Sequence, residues 1–194
     1  MVRGSEVKPS EVLAVFKKTG ALLEGHFVLR SGLHSRQFFQ CALVLQHVTL
    51  ATKLCKALTH LVDLSQVDAV ISPALGGVIM GQEIARILGK RHIFAEKEDG
   101  KLILRRGFVI SPRERFLIAE DVVTEGGRVR EVMKIVRSHG GIVSVVAVLV
   151  DRSTAPVDFG VPFHSLIKMQ IETFPPDQLP HDLVAIPAVK PGSK

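Results

Sequence analysis

From residue 67 onward the chain alternates between two kinds of segment, and this alternation limits the folds open to it. VDAVIS (67–72), HIFAE (92–96), RFLIAED (115–121) and IVSVVAVLVD (142–151) are short runs of β-branched and other apolar residues. Between them stand GVIMGQEIARILG (77–89) and GRVREVMKIVRSHGG (127–141), whose apolar residues recur at helical spacing and whose ends carry glycine. A strand that is apolar on both faces must be covered on both. Helices that return the chain between parallel strands provide that cover, with right-handed crossovers. The predicted class is therefore α/β, with a central parallel sheet flanked by helices. PFHSLIKMQ (162–170) reads as one more strand, and KEDGKLILRRG (97–107), polar at its start and basic at its end, as a hairpin or mobile loop.

The segments before residue 67 follow a different pattern. SEVLAVFKKTGALL (10–23) is predicted to be an amphipathic helix with Ser10 as N-cap, Glu11 in its first turn and Gly20 near its end. HFVLRSGLHSRQFFQCALVL (26–45) reads as two short strands around a turn at Ser31-Gly32, and TLATKLCKALTHLV (49–62) as a helix capped by Thr49. The Pro-rich tail FPPDQLPHDLVAIPAVKPGSK is expected to be irregular and partly frayed. At 194 residues the chain suits one domain, with residues 1–48 and the tail forming a small hood over a core of residues 49–170.

Composition narrows the function. Apolar residues make up 46% and charged residues 23%, which is globular rather than disordered. No apolar run approaches the roughly 18 residues of a membrane span, and the first residues lack the apolar core of a secretion signal. Cys41 and Cys55 form no CxxC pair, so a reducing, cytoplasmic setting is expected. The net charge of +6 points to an anionic ligand. With no Trp and no Tyr, and Phe mostly inside apolar runs, the chain lacks the stacking platforms of a single-strand reader. A small phosphorylated ligand is favoured, and nucleic acid is an unlikely partner. The eight histidines show no metalloprotease spacing, which argues against a metal site built from protein ligands alone.

Ligands of open α/β sheets bind beyond the carboxyl ends of the strands. Three such ends are unusual here: Ser72-Pro73-Ala74-Leu75-Gly76-Gly77, Glu120-Asp121-Val122-Val123-Thr124-Glu125-Gly126-Gly127, and Asp151-Arg152. In the second, glycines let successive backbone N–H groups converge on an anion, and the helix that follows adds its positive end. There is no GxxxxGK[ST] and no GxGxxG. Two acids beside a phosphate turn suit something cationic or hydroxylic, such as ribose hydroxyls or a hydrated Mg²⁺.

This second segment resembles the phosphoribosyl-diphosphate signature of type I phosphoribosyltransferases: an apolar strand, two acids, two apolar residues, Thr, a small residue, Gly and a helix start. HFVLRSGLHSRQFF (26–39), VLVDR (148–152) and FAEKEDGKLILRRGF (94–108) resemble the substrate segment, the Asp-Arg strand and the lid of the orotate branch of that family. The resemblance implies transfer of ribose 5-phosphate from its 1-diphosphate to N1 of orotate, with Mg²⁺ carried mainly on the diphosphate. It implies that Thr124, Glu125, Gly126, Gly127 and Arg128 hold the 5-phosphate, with Glu120, Asp121, Val122 and Val123 leading into that turn and the two acids at the ribose hydroxyls. Arg30, Phe38, Phe39, Thr124 and Arg152 would receive orotate. Lys97, together with Lys101 and Arg105, would reach the diphosphate, and Lys97, Lys101 and Asp121 would be the catalytic groups. A homodimer with shared active sites is implied as well. Two rivals share this core: a purine-type transferase, and a non-catalytic regulator that binds nucleic acid.

Overall fold

The computed structural model describes residues 7–29 and 31–191. The amino-terminal part runs α1 (Pro9–Lys18), β1 (Leu22–Val28), β2 (His34–Phe39), α2 (Ala42–Leu45) and α3 (Val48–Thr59). The centre runs β3 (Ala69–Pro73), α4 (Gly76–Leu88), β4 (Arg91–Glu98), β5 (Lys101–Leu104), β6 (Arg115–Val123), α5 (Gly127–Ser138) and β7 (Ile142–Asp151). The chain closes with β8 (Phe163–Lys168), β9 (Thr173–Phe174) and α6 (His181–Val184). Six strands form one sheet in the order β5-β4-β3-β6-β7-β8, parallel throughout except for β5. This is the expected α/β class.

Strand alternation distributes the core to two layers. Leu117 and Ala119 of β6 pack with Leu54 and Leu58 of α3 and Met80 and Ile84 of α4. Phe116 and Ile118 pack on the other face, with Val129, Val132 and Val136 of α5. Each of the larger of these side chains, fully removed from water, contributes about 1.5–3 kcal/mol, and Ala119 about 0.8 kcal/mol. The same alternation sends Glu120 toward the α5 layer and Asp121 toward the α4 layer. Register keeps the strand ends level, with Pro73 beside Ala95, and Val123 beside Asp151.

A second sheet, in the order β1-β2-β9, is antiparallel. Here the structure departs from the local reading. α1 stops at Lys18, and Gly20 (φ 70°) turns the chain so that Leu22 pairs with Phe39. Leu22 and Leu23 are therefore strand, drawn there by a partner distant in sequence. Pro9 opens α1 after Lys8, so Ser10 is inside the helix rather than its cap, and Thr49 likewise lies inside α3, after His47. Residues 42–45 are helical rather than extended. The tail is not frayed along its length. β9 pairs with β2, and Val189 exchanges backbone hydrogen bonds with His26 and Val28 of β1 at 2.9 and 2.8 Å. Arg36 ties it further, donating to Asp182 at 2.8 Å and to Glu172 at 2.9 Å. No helix among the described residues is long and apolar enough to cross a membrane.

The 97–107 segment is a hairpin. Glu98 pairs with Lys101 across Asp99-Gly100, both with positive φ (47° and 84°), which is the backbone of a two-residue hairpin turn.

Candidate active site

Two strand-to-helix turns stand side by side, because β3 and β6 are neighbours in the sheet. The first, Ala74-Leu75, leads into α4, and its peptide bond is cis. The second, Thr124-Glu125-Gly126, leads into α5. Gly126 has φ 78°, and a Cβ there would meet the Phe159 ring at 2.7 Å and Arg130 Nη1 at 2.8 Å. Arg130 holds this turn from behind, donating to the carbonyls of Glu125 (2.8 Å) and Asp158 (2.9 Å) and lying over Phe159. The Glu125 carbonyl is thus taken, while its side chain is exposed beside Thr124 and Gly127. A concavity of about 290 Å³ opens over the turn, lined in part by Glu120, Thr124, Glu125, Gly127 and Arg128.

Glu120 is 1% exposed. Its Oε1 accepts from the Asp121 N–H at 3.2 Å, while Oε2 has no hydrogen-bond partner. Arg128 Nε stands 3.7 Å from that oxygen. Burial, then the neighbouring Asp121, hold the Glu120 carboxyl well above the usual carboxylate range, and Arg128 opposes this. Arg128 Nη2 also donates to the carbonyl of Ala74 in the first turn.

Asp121, on the other layer, accepts from the Val122 N–H at 2.9 Å. Its carboxylate lies against the start of α4, where a Cβ on Gly76 would come within 2.6 Å of one of its oxygens. Only glycine fits there. Among the described residues, no three His, Cys, Asp or Glu side chains gather to hold a metal.

At the end of β7, the Arg152 N–H donates to the Val123 carbonyl at 2.7 Å, which places it next to the second turn. Its Nε is buried without a partner, and burial pulls the guanidinium below the usual arginine value. Asp151 sets this corner, accepting from the Ser153 N–H at 2.9 Å and pairing with Lys168 at 3.4 Å. Cys41, just before α2, is buried among these charges. Burial and then the negative Asp121 and Glu120 push its thiol well up, with Arg152 opposing.

The remaining expected residues are spread more widely. Lys97 and Lys101 are exposed on the β4–β5 hairpin, and Lys97 lies two residues beyond Ala95, past the level of the strand ends. Neither lysine has an ion-pair partner among the described residues, whereas Arg105 pairs with Glu98 at 3.0 Å and Arg106 with Glu96 at 2.7 Å. Phe38 and Phe39, adjacent on β2, diverge. Phe39 is buried edge-on against Phe16 in the core, and Phe38 is half-buried and faces Phe27. Arg30 lies outside the described residues. The sequence marked the Asp151-Arg152 and Ser72–Gly77 strand ends, but held no sign of Cys41 in this site or of the Ala74 carbonyl as the acceptor for Arg128. The Gly76-Gly77 pair after a strand was the one visible signal for the first turn.

No protein-family model matches the chain. It is 50% identical over 184 residues to the orotate phosphoribosyltransferase of Pelotomaculum thermopropionicum, covering 95% of this chain and 97% of that one. The chain belongs to the orotate phosphoribosyltransferase family. Among solved structures, the orotate phosphoribosyltransferase from Aeropyrum pernix matches with a TM-score of 0.70 at 27% identity, covering 81% of this chain and 93% of that one. The adenine phosphoribosyltransferase of Rhodothermus marinus shares the fold at 19% identity, with a TM-score of 0.66 over 82% of this chain and 99% of that one. The same fold is thus found in a protein named for a different base.

Proposed function

We propose that the chain acts as its family does, transferring ribose 5-phosphate from 5-phosphoribosyl 1-diphosphate to N1 of orotate. The products are orotidine 5′-monophosphate and diphosphate, in pyrimidine nucleotide synthesis. The observation that carries the reading is the turn of Thr124 to Arg128 at the start of α5, open to a concavity into which a buried acid contributes. The free N–H groups of that helix end suit the 5-phosphate. The Glu120 oxygen that lacks a partner suits a ribose hydroxyl, which would donate to it. Arg152, beside Thr124, suits the carboxylate of orotate, because a guanidinium offers a planar, charged fork. Phe38 contributes apolar surface near the base, with Phe39 as backing from the core.

The first turn would receive the diphosphate through the backbone N–H groups at the start of α4. Asp121 fits Mg²⁺ there, since its carboxylate is half-buried beside that turn with no cation paired to it among the described residues. Mg²⁺, brought in on the diphosphate, would neutralise charge on the leaving group. Lys97 and Lys101, the hairpin cations without a carboxylate, would come over the diphosphate oxygens as charge builds on them. A hairpin that closes excludes water, which would otherwise hydrolyse the activated sugar. Closing across a homodimer supports a shared site. The exposed apolar Val48, Leu75 and Ile79 surround the start of α3 and α4 and suit burial against a second copy. Two free, buried cysteines support a cytoplasmic setting.

The test is an absorbance assay of orotate with phosphoribosyl diphosphate and Mg²⁺. Consumption of orotate with release of diphosphate is expected. No turnover of orotate, with hypoxanthine or uracil consumed in its place, would overturn the substrate assignment.

A further inference from the structure

Arg128 makes contacts that a simple phosphate ligand would not need. It belongs to α5, whose first turn faces the 5-phosphate. Yet one arm of its guanidinium donates to the Ala74 carbonyl, in the turn before α4. Its Nε lies 3.7 Å from the buried Oε2 of Glu120 on the strand between those turns. The side chain is 38% exposed, and no partner for its Nη1 stands among the described residues. One guanidinium thus touches both phosphate-facing turns and the acid between them, and keeps a donor free at the concavity it lines.

Only arginine can do this. Its donors diverge from a rigid plane, so one can hold the Ala74 carbonyl and a second face the Glu120 carboxyl while a third meets a ligand; an ammonium is a point charge without that geometry. We infer that Arg128 is a positioning residue that couples the two turns, so that a sugar phosphate bound at the α5 turn orders the Ala74–Gly76 turn for the diphosphate. The inference rests on the reading of these turns given above and adds to it a link between their occupancies.

The expected sign follows from ordering. The Ala74 carbonyl is held by a side chain that is itself only half-buried and unpaired on one arm. A phosphate taking that arm immobilises the guanidinium, and with it the first turn. The ordering cost of that turn is then met before diphosphate arrives, and the second ligand binds more tightly. Coupling between sites is reciprocal, so diphosphate should tighten the sugar phosphate by the same factor.

Calorimetric titration tests this with ribose 5-phosphate and magnesium diphosphate, each alone and each in the presence of the other. In the parent, saturating ribose 5-phosphate should lower the Kd of magnesium diphosphate about fivefold, the lower end of ordinary coupling. Arg128→Lys keeps the charge and the apolar stem, so it should fold; with each ligand brought to saturation against the variant's own affinity, the coupling factor should fall to near one. Arg128→Gln, which reaches one partner and not two, should behave alike. A thermal unfolding scan of both variants identifies any loss that comes from misfolding. The inference is overturned if both ligands bind the parent independently, or if Arg128→Lys retains the full coupling. It is also overturned if Arg128→Lys loses sugar-phosphate affinity while the coupling persists, since Arg128 would then be a phosphate ligand only. Failure of the parent to bind either compound would remove the reading of the turns themselves, an outcome distinct from independent binding.

Discussion

Glu120 is a carboxyl group almost wholly removed from water, with one oxygen unsatisfied and a guanidinium near it but beyond hydrogen-bond reach. Such a group costs stability where it is ionised in the unfolded chain and neutral in the folded one. Its folded pKa is raised, so below the ordinary carboxylate value of about 4.3 both states are protonated and nothing is lost. As pH rises above that value the unfolded state releases its proton first, and the folded state loses ground. Glu120→Gln keeps the shape and removes the titration. The variant should match the parent's melting temperature near pH 4 and exceed it by about 2–4 °C or more at pH 8, the shift of roughly 1 kcal/mol in a domain of this size. Activity should fall by about tenfold or more, because a carboxyl oxygen able to accept from a ribose hydroxyl can be replaced by an amide NH₂, which only donates. A Gln variant that loses activity but gains no stability at pH 8 would show that the buried acid is not strained. The sequence placed Glu120 and Asp121 at the strand end together. It did not show that one faces α5 and the other α4. Alternation implies this once β6 is known to keep its regular pleat as far as Asp121, and that persistence is a property of the sheet.

At the scale of elements, the strand-helix alternation was legible because each run carries its own periodicity and its own glycine stop, as at Gly89 (φ 62°) after α4. The small sheet was less legible. β1 begins where a helical pattern continues through Leu22 and Leu23, and its partner β2 lies beyond a turn that local propensity alone cannot weigh. β9 and the Val189 bridge depend on contacts more than a hundred residues away in sequence. The α5 turn offers a test that separates structure from ligand. Gly126 is required by its positive φ and by the Phe159 ring, so Gly126→Ala should cost about 1–3 kcal/mol of stability. At Gly127 an added Cβ meets nothing within 4 Å, so Gly127→Ala should leave stability unchanged within about 0.5 kcal/mol. If the 5-phosphate sits on this helix end, the added methyl lies where the ligand approaches, and KM for phosphoribosyl diphosphate should rise several-fold. An unchanged KM in a normally folded Gly127→Ala protein would place the phosphate elsewhere.

At the scale of the whole molecule, the proposed lysines stand apart from the concavity they are proposed to serve. The concavity and the acids belong to β6 and α5, while the unpaired lysines stand on a hairpin at the sheet's outer edge and do not line it. Meanwhile Val48 is 74% exposed and Ile79 49%, lining a groove of about 310 Å³ between α3 and α4, and Leu75, just before α4, is 84% exposed. A second copy seated on that face would cover it and could bring its own hairpin across. Val48→Asp with Ile79→Asp places charge in the groove; if the proposed homodimer forms through this face, sedimentation equilibrium should show a dimer for the parent and a monomer for the double variant. Mixing decides whether the lysines act across the interface. Lys97→Ala retains an intact turn with a defective hairpin, and Asp121→Ala retains an intact hairpin with a defective turn, so each alone should be nearly inactive. If hairpins cross, a hybrid dimer has one site in which both parts are intact, and random exchange at equal amounts should restore about a quarter of the parent's activity. If each hairpin serves its own chain, no pairing of these two variants assembles a complete site, and the mixture should remain as inactive as its components.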